Sequence, residues 1–343
     1  MGRTGQRVAI TMHDVAKLAG VSIKTVSNVI NDYPYLRAET RQRVLDAIDK
    51  LGYQPNLSAR GLRSGRTGVI SLIIPDLRNA YFAELADSVM RAAASDGLAV
   101  LIQQVGGLRA AELEALHGPR MTNVDGILYS VLALDDNDVD QLDIPTPLVL
   151  LGERIFNGPT DHVTMHNIEG VKAATEHLLS LGRRRLLAFG AHPGEVIGSA
   201  GLRLTGYRQA LDDAGIPFDP RRVVNVGNWH RSDGAAAMRE FLAKGVEFDG
   251  VVAFNDSIAL GAMRVMQEAG IRIPADVAVI GFDDIDETRY TLPTLSTISP
   301  GMEEIATVAV RFLRERIERG ARAIPPREYL ANFSVIQRES SAL

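Results

Sequence analysis

The chain has 343 residues, 46% hydrophobic and 23% charged, the composition of a soluble globular protein with room for two or three domains and a sizeable core. It contains no cysteine, which excludes disulfides, thiolate metal sites and cysteine nucleophiles. No run of about 18 uncharged apolar residues is present, and the opening residues MGRTGQRVAITMHDVAK lack the apolar stretch of a secretion signal, so a cytoplasmic protein with no membrane partner is expected.

The net charge of −5 conceals an uneven distribution. Residues 1–66 carry eleven Lys/Arg against five acids, a net of +6, while residues 67–343 carry 26 basic and 37 acidic residues, a net of −11. A basic head on an acidic body is the electrostatic footprint of a nucleic-acid-binding module joined to something else.

Val15, Leu18 and Ala19 fall on one helical face, Gly20 permits a sharp turn, and Ser22 is placed to cap a second helix that turns Val26, Val29 and Ile30 inward. The second helix, with its Thr, Ser and Asn content, is built from poor helix formers and has a strongly polar face. A third helix, AETRQRVLDAIDKLGY, begins with an acid, buries Val44, Leu45, Ile48 and Leu51, and stops at Gly52. These elements make a three-helix head of about 50 residues.

From Gly68 the pattern changes. GVISLIIPD, LAVLIQQ, VDGILYS and PLVLLGE read as strands interleaved with helices such as YFAELADSVMRAAASDG, and a helix runs over 167–181. The alternation restarts at RRLLAFG and continues through GYRQALDDAG, RRVVNVG, DGAAAMREFLAKG and FDGVVAFND. Repeated strand–helix units predict parallel sheets with helices on both faces. Val124-Asp125-Gly126-Ile127-Leu128 and Phe248-Asp249-Gly250-Val251-Val252 form a weak internal repeat, which predicts two similar α/β lobes. Open α/β sheets bind ligands beyond their C-terminal strand ends, so two facing lobes would enclose a site.

In this order, TMHDVAKLAGVSIKTVSNVIND, ETRQRVLDAIDKLGYQPNLSARGLRSGRTGVISLIIPD, FNDSIALGAMRVMQEAG and VAVIGFDD strongly resemble the LacI/GalR family of bacterial transcription regulators, over roughly residues 10–339. The resemblance implies an all-α helix-turn-helix domain over 1–54, a hinge helix and linker over 55–67, and a two-lobed core over 68–343 similar to periplasmic sugar-binding proteins. It further implies a nucleoid-associated repressor that binds a palindromic operator as a homodimer and answers to a small-molecule effector, a sugar. The sequence leaves open whether effector releases or strengthens operator binding, and a sugar-binding sensory module without DNA activity is the alternative reading.

The same resemblance assigns residues. Ile23 and Lys24 start the recognition helix and Asn28 follows one turn on, with Thr11, Ser22, Thr25, Ser27 and Asn31 as phosphate and sugar contacts and Tyr53, Asn56 and Ala59 completing the DNA-facing set. Lys24 suits guanine and Asn28 suits bidentate adenine contact; the family more often has Arg at Asn28, so an altered base preference is expected. Leu62 matches the hinge leucine that wedges into the minor groove, with Gly61 beside it where a better helix former is usual. Phe82, Arg203, Trp229, Asn255 and Asp283 match effector contacts, with Tyr81 and Glu153 beside them; Asp256 or Asp284 could take the place of Asn255 or Asp283. Trp229 can stack on a sugar ring and the polar members can bond hydroxyls. His166 replaces the family's usual Asp near the cleft.

Catalysis is not expected. Ser199, His192 and Asp161 are present without a nucleophile elbow, a P-loop or metal-ligand spacing, and Asp283-Asp284 on an extended segment would point to opposite faces. No cofactor and no metal are implied. The end of the chain, VIQRESSAL, carries no leucine heptads, which favours a dimer over a tetramer.

Overall fold

A computed structural model describes residues 10–30, 33–53, 66–118 and 123–342. The chain divides into two compact units, Met1–Gly68 and Val69–Leu343.

In the first unit, α1 (Met12–Ala19), α2 (Ile23–Ile30) and α3 (Ala38–Leu51) enclose a small core of Val15, Ala16, Ala19, Val26, Val29, Val44, Ala47 and Tyr53. Each helix end follows from a local residue. Thr11 and Asp14 cap α1, the Thr11 N–H and hydroxyl both donating to the Asp14 carboxylate at 2.9 and 2.7 Å. Gly20, at φ 67°, turns the chain out of α1 at no steric cost. Ser22 caps α2 as expected, its Oγ accepting the Thr25 N–H at 3.1 Å. Two apolar assignments are corrected: Leu18 and Leu45 are exposed, and Ala16 and Ala47 take the packed positions. In so small a head, alanines let the helices approach where leucines would hold them apart.

The second unit contains two parallel sheets. The first has the order β11-β5-β4-β3-β1-β2, formed by β1 (Val69–Ile74), β2 (Ala99–Gln104), β3 (Gly126–Ser130), β4 (Leu148–Leu151), β5 (Asp161–Met165) and β11 (Glu328–Ala331). The second has the order β7-β6-β8-β9, formed by β6 (Leu186–Ala191), β7 (Val223–Asn225), β8 (Gly250–Ala253) and β9 (Ala278–Ile280). A short antiparallel pair joins β10 (Thr297–Ser299) to β12 (Ser334–Ile336). Helices α4 (Ala80–Ser95) and α5 (Arg109–His117) belong to the first lobe, and α6 (Asn167–Ser180), α7 (Ser199–Asp213), α8 (Arg231–Ala243) and α9 (Asp256–Glu268) to the second.

The internal repeat has a structural meaning. β2-β1-β3-β4 in one lobe and β7-β6-β8-β9 in the other share one strand order, and the repeated segments enter the equivalent strands β3 and β8. In both, the Asp N–H donates to the residue just before or at the start of the neighbouring strand, Asp125 to Val69 and Asp249 to Arg185.

The C-terminal helix α10 (Met302–Arg319) was not anticipated. It returns to the first lobe and packs on α4, β3, β4 and β5, and β11 then closes that lobe's sheet edge. Arg316 locks it there through a buried bidentate pair with Asp161, both bonds 2.7 Å, and Arg327 joins the same carboxylate at 2.8 Å. Asp161 is therefore a structural anchor with its carboxyl held low: burial pushes it up, and the two guanidiniums more than offset that.

Candidate functional site

On the head, Ser22, Ile23 and Lys24 are exposed and Thr25 and Asn28 half-buried, while Ser27 and Tyr53 are buried, with Tyr53 in the core of the head. The hydroxyls of Ser22 and Thr25 bond each other at 2.9 Å. Short polar side chains at the start of α2 thus serve as the cap while leaving the Ile23–Lys24 edge clear. Asn31, Asn56, Ala59 and Leu62 lie outside the described residues.

In the second unit, the C-terminal strand ends of both lobes face a cleft of about 460 Å³. All five expected effector residues, Phe82, Arg203, Trp229, Asn255 and Asp283, line it, as do Tyr81 and Glu153. Their detailed roles differ from those expected.

Arg203 projects from the second turn of α7 and is held by protein contacts on each of its three nitrogens. Its Nε donates to Asn167 Oδ1 at 2.7 Å, one terminal nitrogen donates to the Phe254 carbonyl, and the other lies 3.7 Å from Asp283 Oδ1. The guanidinium sits 3.7 Å from the Phe282 ring centroid. Asn255 is the N-cap of α9: its Oδ1 accepts the Ile258 N–H at 2.9 Å and its Nδ2 donates to the Trp229 carbonyl at 3.3 Å. It acts by holding Trp229, whose indole N–H is tied to the Gly190 carbonyl at 2.9 Å.

The Asp283-Asp284 pair is corrected. It is not extended: both residues have positive φ, 118° and 54°, so a tight turn sends Asp283 into the cleft and Asp284 away to Arg338 at 2.5 Å. Asp256 is also turned away, accepting Thr297 Oγ1 at 2.7 Å and the Ile285 N–H at 3.1 Å, and so pins the loop that presents Asp283. Burial pushes the Asp283 carboxyl up to about 7; Arg203 opposes this, and the negative charges of Glu153 and Glu84 add to it. Burial and the same acidic surroundings push the Tyr81 hydroxyl up as well. His166 stands at the N-cap of α6 beside Glu169 and Phe333 and does not line the cleft.

Further polar contacts in and behind the cleft are visible only in the structure. Glu153, nearly buried, accepts the Ser199 hydroxyl across the lobes at 2.8 Å. Asp76 accepts from His230 across them at 2.7 Å. Thr164 lines the cleft, and its buried Oγ1 has no hydrogen-bond partner among the described residues. His192, 5.4 Å from the Trp229 ring, is pushed up by its hydrogen bond to Glu195 against the effect of burial. Glu112 is wholly buried and receives the N–H groups of Leu132, Ala133 and Leu134, which shapes the lining loop after β3. Position after a strand was the available signal for Asp76 and His192; nothing local marked Glu112 or Ser199.

Comparison with known proteins places this geometry. The family described as bacterial regulatory proteins, lacI family, matches residues 11–56, and a periplasmic binding protein-like domain matches residues 175–341. The HTH-type transcriptional regulator GalR of Salmonella typhimurium is 34% identical over 304 residues, 88% of each chain. A solved LacI-family regulator from Sanguibacter keddieii is 50% identical, covering 80% of this chain and 99% of its own, at a TM-score of 0.75. The Lac repressor dimer bound to operator and the anti-inducer ONPF is 26% identical over 97% of this chain and 99% of its own, at 0.83, and a CelR–cellobiose complex is 30% identical over 96% and 99%, at 0.70. Among the described residues, no helix is long and apolar enough to cross a membrane. Related at this level over most of its length to transcription regulators rather than enzymes, the chain belongs to the LacI family and is a DNA-binding transcription regulator.

Proposed function

We propose that the protein is a repressor that binds a palindromic operator as a homodimer and is controlled by a sugar held in the cleft between its lobes. The division is a DNA-binding domain over 1–54, a hinge over 55–67 and an effector-binding and dimerisation core over 68–343. α2 enters the major groove, where Ile23, Lys24 and Asn28 meet base edges and Thr11, Ser22 and Thr25 meet the backbone; Asn31, Asn56 and Ala59 add contacts and Leu62 wedges the minor groove. The likeness to the operator-bound Lac repressor dimer supports this arrangement, and a repressor of this kind works in the cytoplasm at the nucleoid.

One observation carries the effector reading: an aromatic side chain, Trp229, and buried polar groups, Asp283 and Glu153, line the same cleft. A sugar ring suits that pairing, with apolar C–H on one side and hydroxyls at the edge. The cellobiose complex of a relative supports it. Gel-shift titration of the full chain on its own promoter fragment, repeated across a panel of neutral sugars, tests the proposal. The expected results are salt-dependent retention and a change of about tenfold or more with one sugar, whose direction identifies inducer or corepressor. Absence of DNA retention overturns the repressor reading, and retention indifferent to every sugar overturns the effector reading.

A further inference from the structure

Among the hydrogen bonds that join the two lobes, which include Ser199 to Glu153, Arg154 to the Ile197 carbonyl and the Asp286 N–H to Glu84, the Asp76–His230 bond beside the cleft has both partners fixed by their own backbone. Asp76 follows β1, and its Oδ1 accepts the Arg78 N–H at 2.9 Å, which orients the carboxylate. His230 opens α8 in a reciprocal capping box with Asp233, an unusual residue for a helix N-terminus, where Ser, Thr, Asp and Asn are preferred. Its Nε2–H donates across the cleft to Asp76 Oδ2 at 2.7 Å, with the two side chains 16% and 26% exposed. Burial alone would raise the Asp76 carboxyl, but the Arg78 N–H and His230 together hold it below the usual range, so it accepts as a carboxylate.

The place of this bond gives it a consequence. His230 is adjacent in sequence to Trp229, and Trp229 is tied to the second lobe through Gly190 and Asn255. Tyr81 and Phe82, which form the opposing aromatic pair, sit on the first lobe just beyond Asp76 at the start of α4. The separation of the two aromatic walls is therefore spanned by the Asp76–His230 bond. We infer that Asp76 and His230 are positioning residues for effector binding, a latch that holds the lobes closed around the cleft and sets the gap between Trp229 and the Tyr81–Phe82 wall. A ligand binding to the closed form gains from a latch that raises the closed population. The consequence for affinity rests on the effector reading; the latch itself does not.

Trp229 is the one tryptophan of the chain, so its fluorescence reports the cleft directly and without a ligand. The experiment is acrylamide quenching of the full-length protein, comparing wild type with Asp76→Ala, His230→Ala, the double variant and Asp76→Asn, each checked for folding by circular dichroism. We expect the quenching constant to rise about twofold in Asp76→Ala, and the double variant to match the single because both cut one bond. Asp76→Asn keeps the size of the side chain but leaves one acceptor oxygen, which the Arg78 N–H takes, and sets an NH2 against the His230 Nε2–H, so it should raise quenching as Asp76→Ala does. His230→Ala also removes a helix cap and can fail to fold; Asp76→Ala cuts the same bond from the other lobe and keeps the test decisive. Quenching unchanged in Asp76→Ala, or unchanged in Asp76→Asn, overturns the latch. Failure of every sugar to bind overturns the effector reading instead and leaves the quenching result intact.

Discussion

Arg203 and Asp283 approach to 3.7 Å in the floor of the cleft, 3% and 5% exposed, close enough to attract but beyond hydrogen-bond reach. The guanidinium bonds Asn167 and the Phe254 carbonyl, and its nitrogen nearest Asp283 is turned to Met165 Sδ, so the carboxyl of Asp283 receives no hydrogen bond from it and carries much of its own desolvation.

That arrangement makes stability fall as pH rises. The Asp283 carboxyl is raised from an ordinary 3.8 to about 7 in the folded protein, because burial and the neighbouring Glu153 and Glu84 outweigh Arg203. Between these values the folded state holds a proton that the unfolded state has released, so the associated stability is complete below about pH 4 and is lost on passing through about 7. Asp283→Asn removes the titration while keeping the shape. Thermal melts from pH 5 to 8 should show a midpoint that declines by several degrees in wild type and by less in the variant; an equally steep decline would refute the assignment. Asp256, also raised by burial and by Asp283, retains its share of the slope.

Arg203→Lys tests the fork geometry. An ammonium is a point donor and cannot reach Asn167 and Phe254 together while lying on the Phe282 ring. The substitution should cost about 1–3 kcal/mol through the unpaired buried groups it leaves, read as a lower urea midpoint, and should abolish the sugar response of promoter binding. A variant with wild-type midpoint and response would show that charge alone suffices.

Asn28→Arg addresses operator choice. Asn28 is half-buried on α2, one turn beyond the exposed Lys24. An amide pairs with adenine and a guanidinium with guanine, each with about 1–3 kcal/mol of discrimination. Selection from a randomised operator library should shift one symmetric position from adenine to guanine, while Lys24→Ala should relax a neighbouring position. Identical selected sequences for wild type and Asn28→Arg would remove Asn28 from base reading.

The sequence displayed what depends on local pattern and concealed what depends on the return of the chain. Alternating strand and helix periods, the Asp-Gly repeat and Ser22 as a cap were all visible because each is written within a few residues. The placing of α10 and β11 in the first lobe was not, because Arg316 meets Asp161 from 155 positions away. The cleft divides in the same way. Arg203, Trp229 and Asp283 stand in motifs, whereas Thr164 and His230 acquire meaning only when the lobes face one another. The turn at Asp283-Asp284 is not legible in the sequence because a positive φ at two successive aspartates has no signature in composition or period.

Gly206 links packing to the cleft. It lies on α7 one turn beyond Arg203, where α7 crosses α6 so closely that a methyl group at Gly206 would fall inside contact distance of the Ile168 carbonyl oxygen. The obstacle is backbone, not the end of a flexible side chain, so Gly206→Ala must push the two helices apart even though alanine is the better helix former. Overpacking of this kind costs about 1–3 kcal/mol. Moving α7 also withdraws Arg203 from Asn167, which belongs to α6, at the point where their 2.7 Å bond sets the cleft floor. The expected variant has a lower urea midpoint and needs at least tenfold more sugar to alter promoter binding. Its retention of promoter DNA without sugar should be preserved, because the head forms a separate compact unit. An unchanged midpoint together with an unchanged sugar response would show that α6 and α7 can separate without disturbing the cleft.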